Sequence, residues 1–152
     1  MRGFSAIGLY GTKYTVNEGG VLRAASCFGA KLIVLAAPRF KKSSADTTNA
    51  YKHIPVIRGD PWKLIPINCV PVAVEVVDGC RWLSDFTHPR QAMYLFGPED
   101  GSLPKKVIER CNYIVRIPSI HCLNLAAAVN VVLYDRTAKE ERWKEEFGSL
   151  VS

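Results

Sequence analysis

Two short stretches of this sequence combine residue types that could hold a ligand: FGPEDGSLP at 96–104 and IPSIHCLN at 117–124. Each continues from an apolar run and breaks into proline and polar residues, the first with glycines as well, the punctuation expected where a buried strand stops. Loops at the carboxyl ends of adjacent strands are where α/β sheets bind ligands. Gly97 and Gly101 permit close backbone approach, so N–H and C=O groups could hold a flat heterocycle with little help from side chains. That chemistry is a nucleotide-like pocket. Glu75 adds a carboxylate to the otherwise apolar PVAVEVV at 71–77, where it is costly unless it is paired or reaches a cleft. It would sit at the strand's carboxyl end and touch a ligand ribose, or else occupy a partly exposed edge.

The elements that must position these residues can be read from periodicity. MYLF at 93–96 is a strand ending at Gly97-Pro98, and Ser102, Leu103 and Pro104 open a helix with Pro104 in its first turn. Tyr113 to Ile117 is a second strand, stopped by Pro118, and a helix starts near Leu123. From there to Tyr134 almost every residue is apolar, so the helix is expected to be covered on all sides, one of them by a second subunit. Upstream, GFSAIGLY at 3–10 and KLIVLA at 31–36 read as strands around a helix that carries Val21, Leu22, Ala25 and Phe28 and stops at Gly29. Strand, helix, strand implies a parallel sheet and the α/β class. On residue physics alone Asn17 is that helix's N-cap and Arg23 a solvated helix residue. His53 to Ile57 leads into another short strand, Asp60-Pro61 starts a helical turn carrying Trp62, and Trp82 to Arg90 connects through a short helix. The tail AKEERWKEEFGSLVS is a charged helix, with Trp143 and Phe147 folding back on the body.

A chain of 152 residues is expected to form one domain over 1–152. Its formal charge of +6 suits an anionic partner. Arg39, Lys41, Lys42 and Lys52 form a basic cluster that would meet the phosphates of a nucleic acid or simply solvate a loop. No apolar run is long enough to span a membrane, and the N-terminus does not read as a signal peptide. The five cysteines are widely spaced with no CxxC pair and no histidine at metal spacing, which implies reduced thiols, a cytoplasmic protein and no metal.

The same stretches resemble the SpoU/TrmH branch of the SPOUT RNA methyltransferases. FGPEDGSLP is similar to the second motif of that branch, IPSIHCLNLAAAVNVVLYD at 117–135 to its third, and VNEGGVLRAASCFGA at 16–30 to its first. The resemblance covers nearly the whole chain. It implies a SPOUT-type parallel sheet flanked by helices, with a C-terminal deep trefoil knot over about 92–136. General rules argue against any knot, so that expectation rests wholly on the motifs. It further implies a homodimer built on the apolar C-terminal helix, and S-adenosylmethionine bound between knot loops 95–101 and 116–124. Glu75, Leu95, Phe96, Gly97, Gly101, Ile117, Cys122, Leu123 and Asn124 would then form the cofactor pocket. Ile117 and Leu123 would bracket the adenine, and Asn124 would tie the loop by hydrogen bonds. Arg23, Asn17 and Glu99 match the catalytic positions. Arg23 would favour the developing alkoxide electrostatically, because a guanidinium is a poor base. Cys122 departs from the usual serine, which puts a phosphate-gripping role there in doubt. The implied activity is 2′-O-ribose methylation of RNA, with tRNA and its wobble nucleotide first and rRNA second. The contrasting class is a knotted dimer that binds RNA or cofactor without methylating.

Overall fold

The computed structural model describes residues 3–11, 15–36, 53–99 and 101–140. All strand pairs run parallel: β1 (Phe4–Tyr10), β2 (Leu32–Ala36), β3 (Val56–Arg58), β4 (Val70–Val74), β5 (Arg81–Trp82), β6 (Gln91–Phe96) and β7 (Tyr113–Arg116). Helices α1 (Thr15–Phe28), α2 (Lys105–Arg110) and α3 (Leu125–Lys139) connect or flank them. The spatial order is β3-β2-β1-β6-β4-β7-β5. Late strands are inserted between earlier ones, β6 between β1 and β4, and β7 between β4 and β5. The loops leaving β6 and β7 therefore both open beside the carboxyl end of β4.

Strict alternation along the strands builds two apolar layers. Ile7, Leu9, Val72, Tyr94, Phe96 and Val115 face one way, against Val21, Leu22 and Ala25 of α1 and Val129, Val132 and Leu133 of α3. Ala6, Val34, Ala73, Met93 and Leu95 face the other way, toward Val107 of α2, Leu103 just before it and Trp62 of a 3-10 turn at Pro61–Leu64. The Asp60 carboxylate caps that turn by accepting from Trp62 N–H at 3.0 Å, as the sequence implies. Helix α1 ends at Gly29, whose φ of 73° suits only glycine well.

Several boundaries differ from expectation. Helix α1 starts at Thr15, so Asn17 lies inside its first turn and is not its N-cap. Gly20 inside that helix serves packing: a Cβ on it would meet the Ala126 Cβ of α3 at 2.7 Å. Helix α3 starts at Leu125, not Leu123, because Asn124 caps it by accepting from Ala127 N–H at 2.7 Å. Pro104 is the N-cap of α2 and not a first-turn residue. Strand β4 stops at Val74 and lies between β6 and β7, which removes the edge-strand reading of Glu75. Helix α3 is not covered all round in the single chain: Val131 and Tyr134 are 36% and 63% exposed.

A polar cluster pins the far end of α3. The Arg136 guanidinium, 5% exposed, donates to the carbonyls of Pro89 and Arg90 at 2.7 Å each and to the Tyr94 hydroxyl at 3.0 Å. Tyr94 meets His88 Nδ1 at 2.7 Å, and His88 Nε2 meets the Asp135 carboxylate at 2.6 Å. Burial pushes the Tyr94 hydroxyl up to about 12, so it stays protonated and can donate to Nδ1. That leaves the proton of a neutral His88 on Nε2, facing Asp135. Among the described residues no helix is long and apolar enough to cross a membrane.

Candidate functional site

The loop from Gly97 to Pro104 folds back on itself at the end of β6. A Cβ on Gly97 would lie 2.8 Å from the Leu103 nitrogen, so only glycine allows that approach. Gly101 N–H donates to the Pro98 carbonyl at 3.3 Å, closing the turn. Two side chains then anchor the loop from outside. Glu99 Oε1 accepts from Asn17 Nδ2 at 2.9 Å, which joins the first turn of α1 to the loop. Glu75 Oε2 accepts from Leu103 N–H at 3.0 Å, and its Oε1 accepts from Val76 N–H at 3.1 Å. Glu99 therefore does not cap α2, and Glu75 sits just past the carboxyl end of the sheet's interior strand.

Beside Glu75 opens a cleft of about 310 Å³ between the end of β4, the 116–123 segment and Ala128 of α3. Ile117 and Leu123 supply apolar walls, and Glu75, Arg116, Ser119, His121 and Cys122 supply polar groups. Each Glu75 oxygen keeps an acceptor site after its backbone bond, so the carboxylate can still take a hydroxyl. A flat heterocycle between Ile117 and Leu123 with a ribose at Glu75 matches this lining. Leu123 is 40% exposed, so its side chain is open to the cleft side and to solvent.

The other sequence candidates distribute unevenly. Leu95 and Phe96 are buried in opposite layers of the core, so only their backbone is available to a ligand. Gly97 and Gly101 belong to the neighbouring loop and do not line the cleft. Asn124 serves the helix N-terminus through its side chain. Cys122 is an exposed free thiol. Arg23 is exposed on the outer face of α1 and, among the described residues, is not joined to Asn17 or Glu99. Six residues of helix separate Arg23 from Asn17, about 9 Å along the axis and a third of a turn around it. One chain thus brings Asn17, Glu99 and the cleft-side loops together but leaves Arg23 apart. Arg39, Lys41, Lys42 and Lys52, with Trp143 and Phe147, lie outside the described residues.

Sequence reasoning missed Arg116 and Trp82. The Arg116 guanidinium stacks on the Trp82 ring, 4.2 Å from its centroid, and its buried Nε has no hydrogen-bond partner among the described residues. The pairing of Trp82 with Arg116 across β5 and β7 places them there. A two-residue strand gives no periodic signal that could have announced it.

Solved structures share this fold. The SpoU methyltransferase AviRb from Streptomyces viridochromogenes superposes with a TM-score of 0.79 at 21% identity, over 96% of this chain and 62% of that one. An AdoMet-bound rRNA methyltransferase from Sinorhizobium meliloti gives 0.78 at 22% identity, over 91% and 57%. This chain therefore spans about three fifths of the length of those two. A structure described for the 2-OH methylation of C/U34 on tRNA gives 0.75 at 23%, over 91% and 92%. No curated protein sequence matches the chain. The SpoU rRNA Methylase family model matches residues 5–134, across the sheet, both cleft-side loops and most of α3, and the chain belongs to that family.

Proposed function

We propose that this protein is an S-adenosylmethionine-dependent RNA 2′-O-ribose methyltransferase that acts on tRNA as a homodimer. The observation that carries the reading is the Asn17–Glu99 bond. It fastens a polar side chain from near the start of the chain onto the glycine loop beside the cleft that would take the adenosyl group. Family membership supports the methyl-transfer chemistry. The cofactor assignment draws on the AdoMet-bound relative and on the fit of Ile117, Leu123 and Glu75 to a nucleoside. The tRNA assignment draws on the C/U34 structure, matched over 92% of its own length. The rRNA reading is favoured by the Sinorhizobium meliloti enzyme and is kept as second.

When bound, the cofactor supplies an electrophilic methyl group on a sulfonium. The protein's part is alignment and charge. The ribose oxygen must be held roughly 3 Å from the methyl carbon, in line with sulfur. Transfer would form the O–C bond as the C–S bond gives its electron pair to sulfur, and the hydroxyl proton would pass to solvent. Arg23 would stabilise the developing alkoxide and hold the adjacent phosphate. On the outer face of α1, it would do so at the cleft of a second subunit. Helix α3 would form the dimer contact, since Val131 and Tyr134 are exposed there and Phe28 of α1 packs edge-on against Tyr134 at 6.3 Å. The order of insertion of β6 and β7 supports a knotted path through 92–136.

Incubation with methyl-labelled cofactor and bulk tRNA, followed by nuclease digestion, tests the activity. A labelled, nuclease-resistant 2′-O-methyl dinucleotide is expected. Label in base-modified nucleosides only would contradict the reaction assignment, and label in rRNA but not tRNA would move the substrate to the second reading.

A further inference from the structure

Strand β5 is one of the sheet's two edge strands, and Trp82 on it is 45% exposed. One ring face is covered by the Arg116 guanidinium, 4.2 Å from the centroid. Across the same strand pair Arg81 lies 5.2 Å from the centroid of Tyr113, so two arginine–aromatic pairs stand at this end of the sheet. Arg116 also lines the cleft. The stack is therefore continuous with the proposed site through Arg116, while Trp82 itself is not among the residues that line the cleft. The geometry points to Trp82 as a stacking platform for a nucleobase of the RNA strand that flanks the methylated nucleotide, with Arg116 bracing the ring and facing the phosphate.

Three observations favour a nucleobase. An exposed indole braced on one side by a guanidinium presents a flat face with positive charge beside it, which matches a base and its phosphate together. A two-residue edge strand is too short to pair with an added peptide strand. Asp78 and Asp85 flank β5 in the sequence, so attraction here is local to two guanidiniums and the ring, not a broad basic field. Stacking, more than bulk charge, must then supply the contact.

This inference rests on the RNA methyltransferase reading and deepens it. Its test compares wild-type protein, Trp82→Ala and Trp82→Phe by bulk-tRNA binding, by steady-state methylation, and by titration with S-adenosylmethionine. Trp82→Ala is expected to weaken tRNA binding and raise KM for tRNA about tenfold with kcat retained, the size of one lost base stack. Trp82→Phe should recover most of that loss, and cofactor affinity should not change in either variant. Alanine-variant tRNA affinity equal to wild type would overturn the platform alone, as would a loss that falls on the cofactor or one that phenylalanine does not recover. A wild-type protein that neither binds nor methylates tRNA or rRNA would overturn the methyltransferase reading along with it.

Discussion

Asn17 and Glu99 are 82 residues apart in sequence and 2.9 Å apart in space. Asn17→Ala should cost about 1 kcal/mol in a denaturant melt, the usual value of a part-exposed hydrogen bond, and should lower methylation because the loop beside the cleft loses its outer anchor. Arg23→Ala should do the reverse. Its side chain is exposed, so the melt should stay within about 0.5 kcal/mol of wild type. Removal of an electrostatic stabiliser should nonetheless lower kcat roughly 10²-fold. Full activity in Arg23→Ala would remove it from the site. Glu75 was legible as an anomaly, a carboxylate in an apolar run, and the structure resolves it into a bond to Leu103 N–H. What the sequence could not convey was the partner, since 28 residues and a crossover separate them.

Helices α1 and α3 meet so closely that a methyl on Gly20 would overlap Ala126. Gly20→Ala should therefore destabilise by about 1–3 kcal/mol despite alanine's better helix propensity. Ala126→Gly in the same chain should restore most of it, a coupling that a thermal-melt cycle would measure. The far end of α3 carries a pH prediction. Burial holds His88 below its ordinary value of 6.5, outweighing the opposing pull of Asp135, while Arg136 and Lys139 add to the depression. The unfolded chain then takes up the proton first, so stability is intact above about 6.5 and falls as pH drops below it. His88→Gln should flatten that part of a melting-temperature profile; an unchanged slope would show that the ring is not held neutral. Apolar runs and breakers located most elements, including β1, β6, the Asp60 turn and the stop at Gly29. Offsets arose at helix starts: Asn17 falls inside the first turn of α1, and Asn124 rather than Leu123 opens α3.

The order of strands was invisible to local pattern, because insertion of β6 and β7 between earlier strands is a property of the whole chain. Strand-helix-strand order gave the parallel sheet and residue punctuation gave the two loops, and the fold places both loops beside one strand end. At this scale the proposed dimer makes its own prediction. Tyr134→Glu, on the uncovered face of α3, should give a monomer by sedimentation and abolish methylation, because Arg23 would lose its cleft; an active monomer would refute delivery across subunits. The central claim is that the cleft between Ile117, Leu123 and Glu75 is an adenosyl site, and calorimetric titration with S-adenosylmethionine tests it most directly. The account predicts one cofactor bound per chain, saturating below millimolar concentration, with affinity sharply reduced in Leu123→Asp. Absence of binding at millimolar cofactor, or binding that Leu123→Asp leaves unchanged, would contradict it.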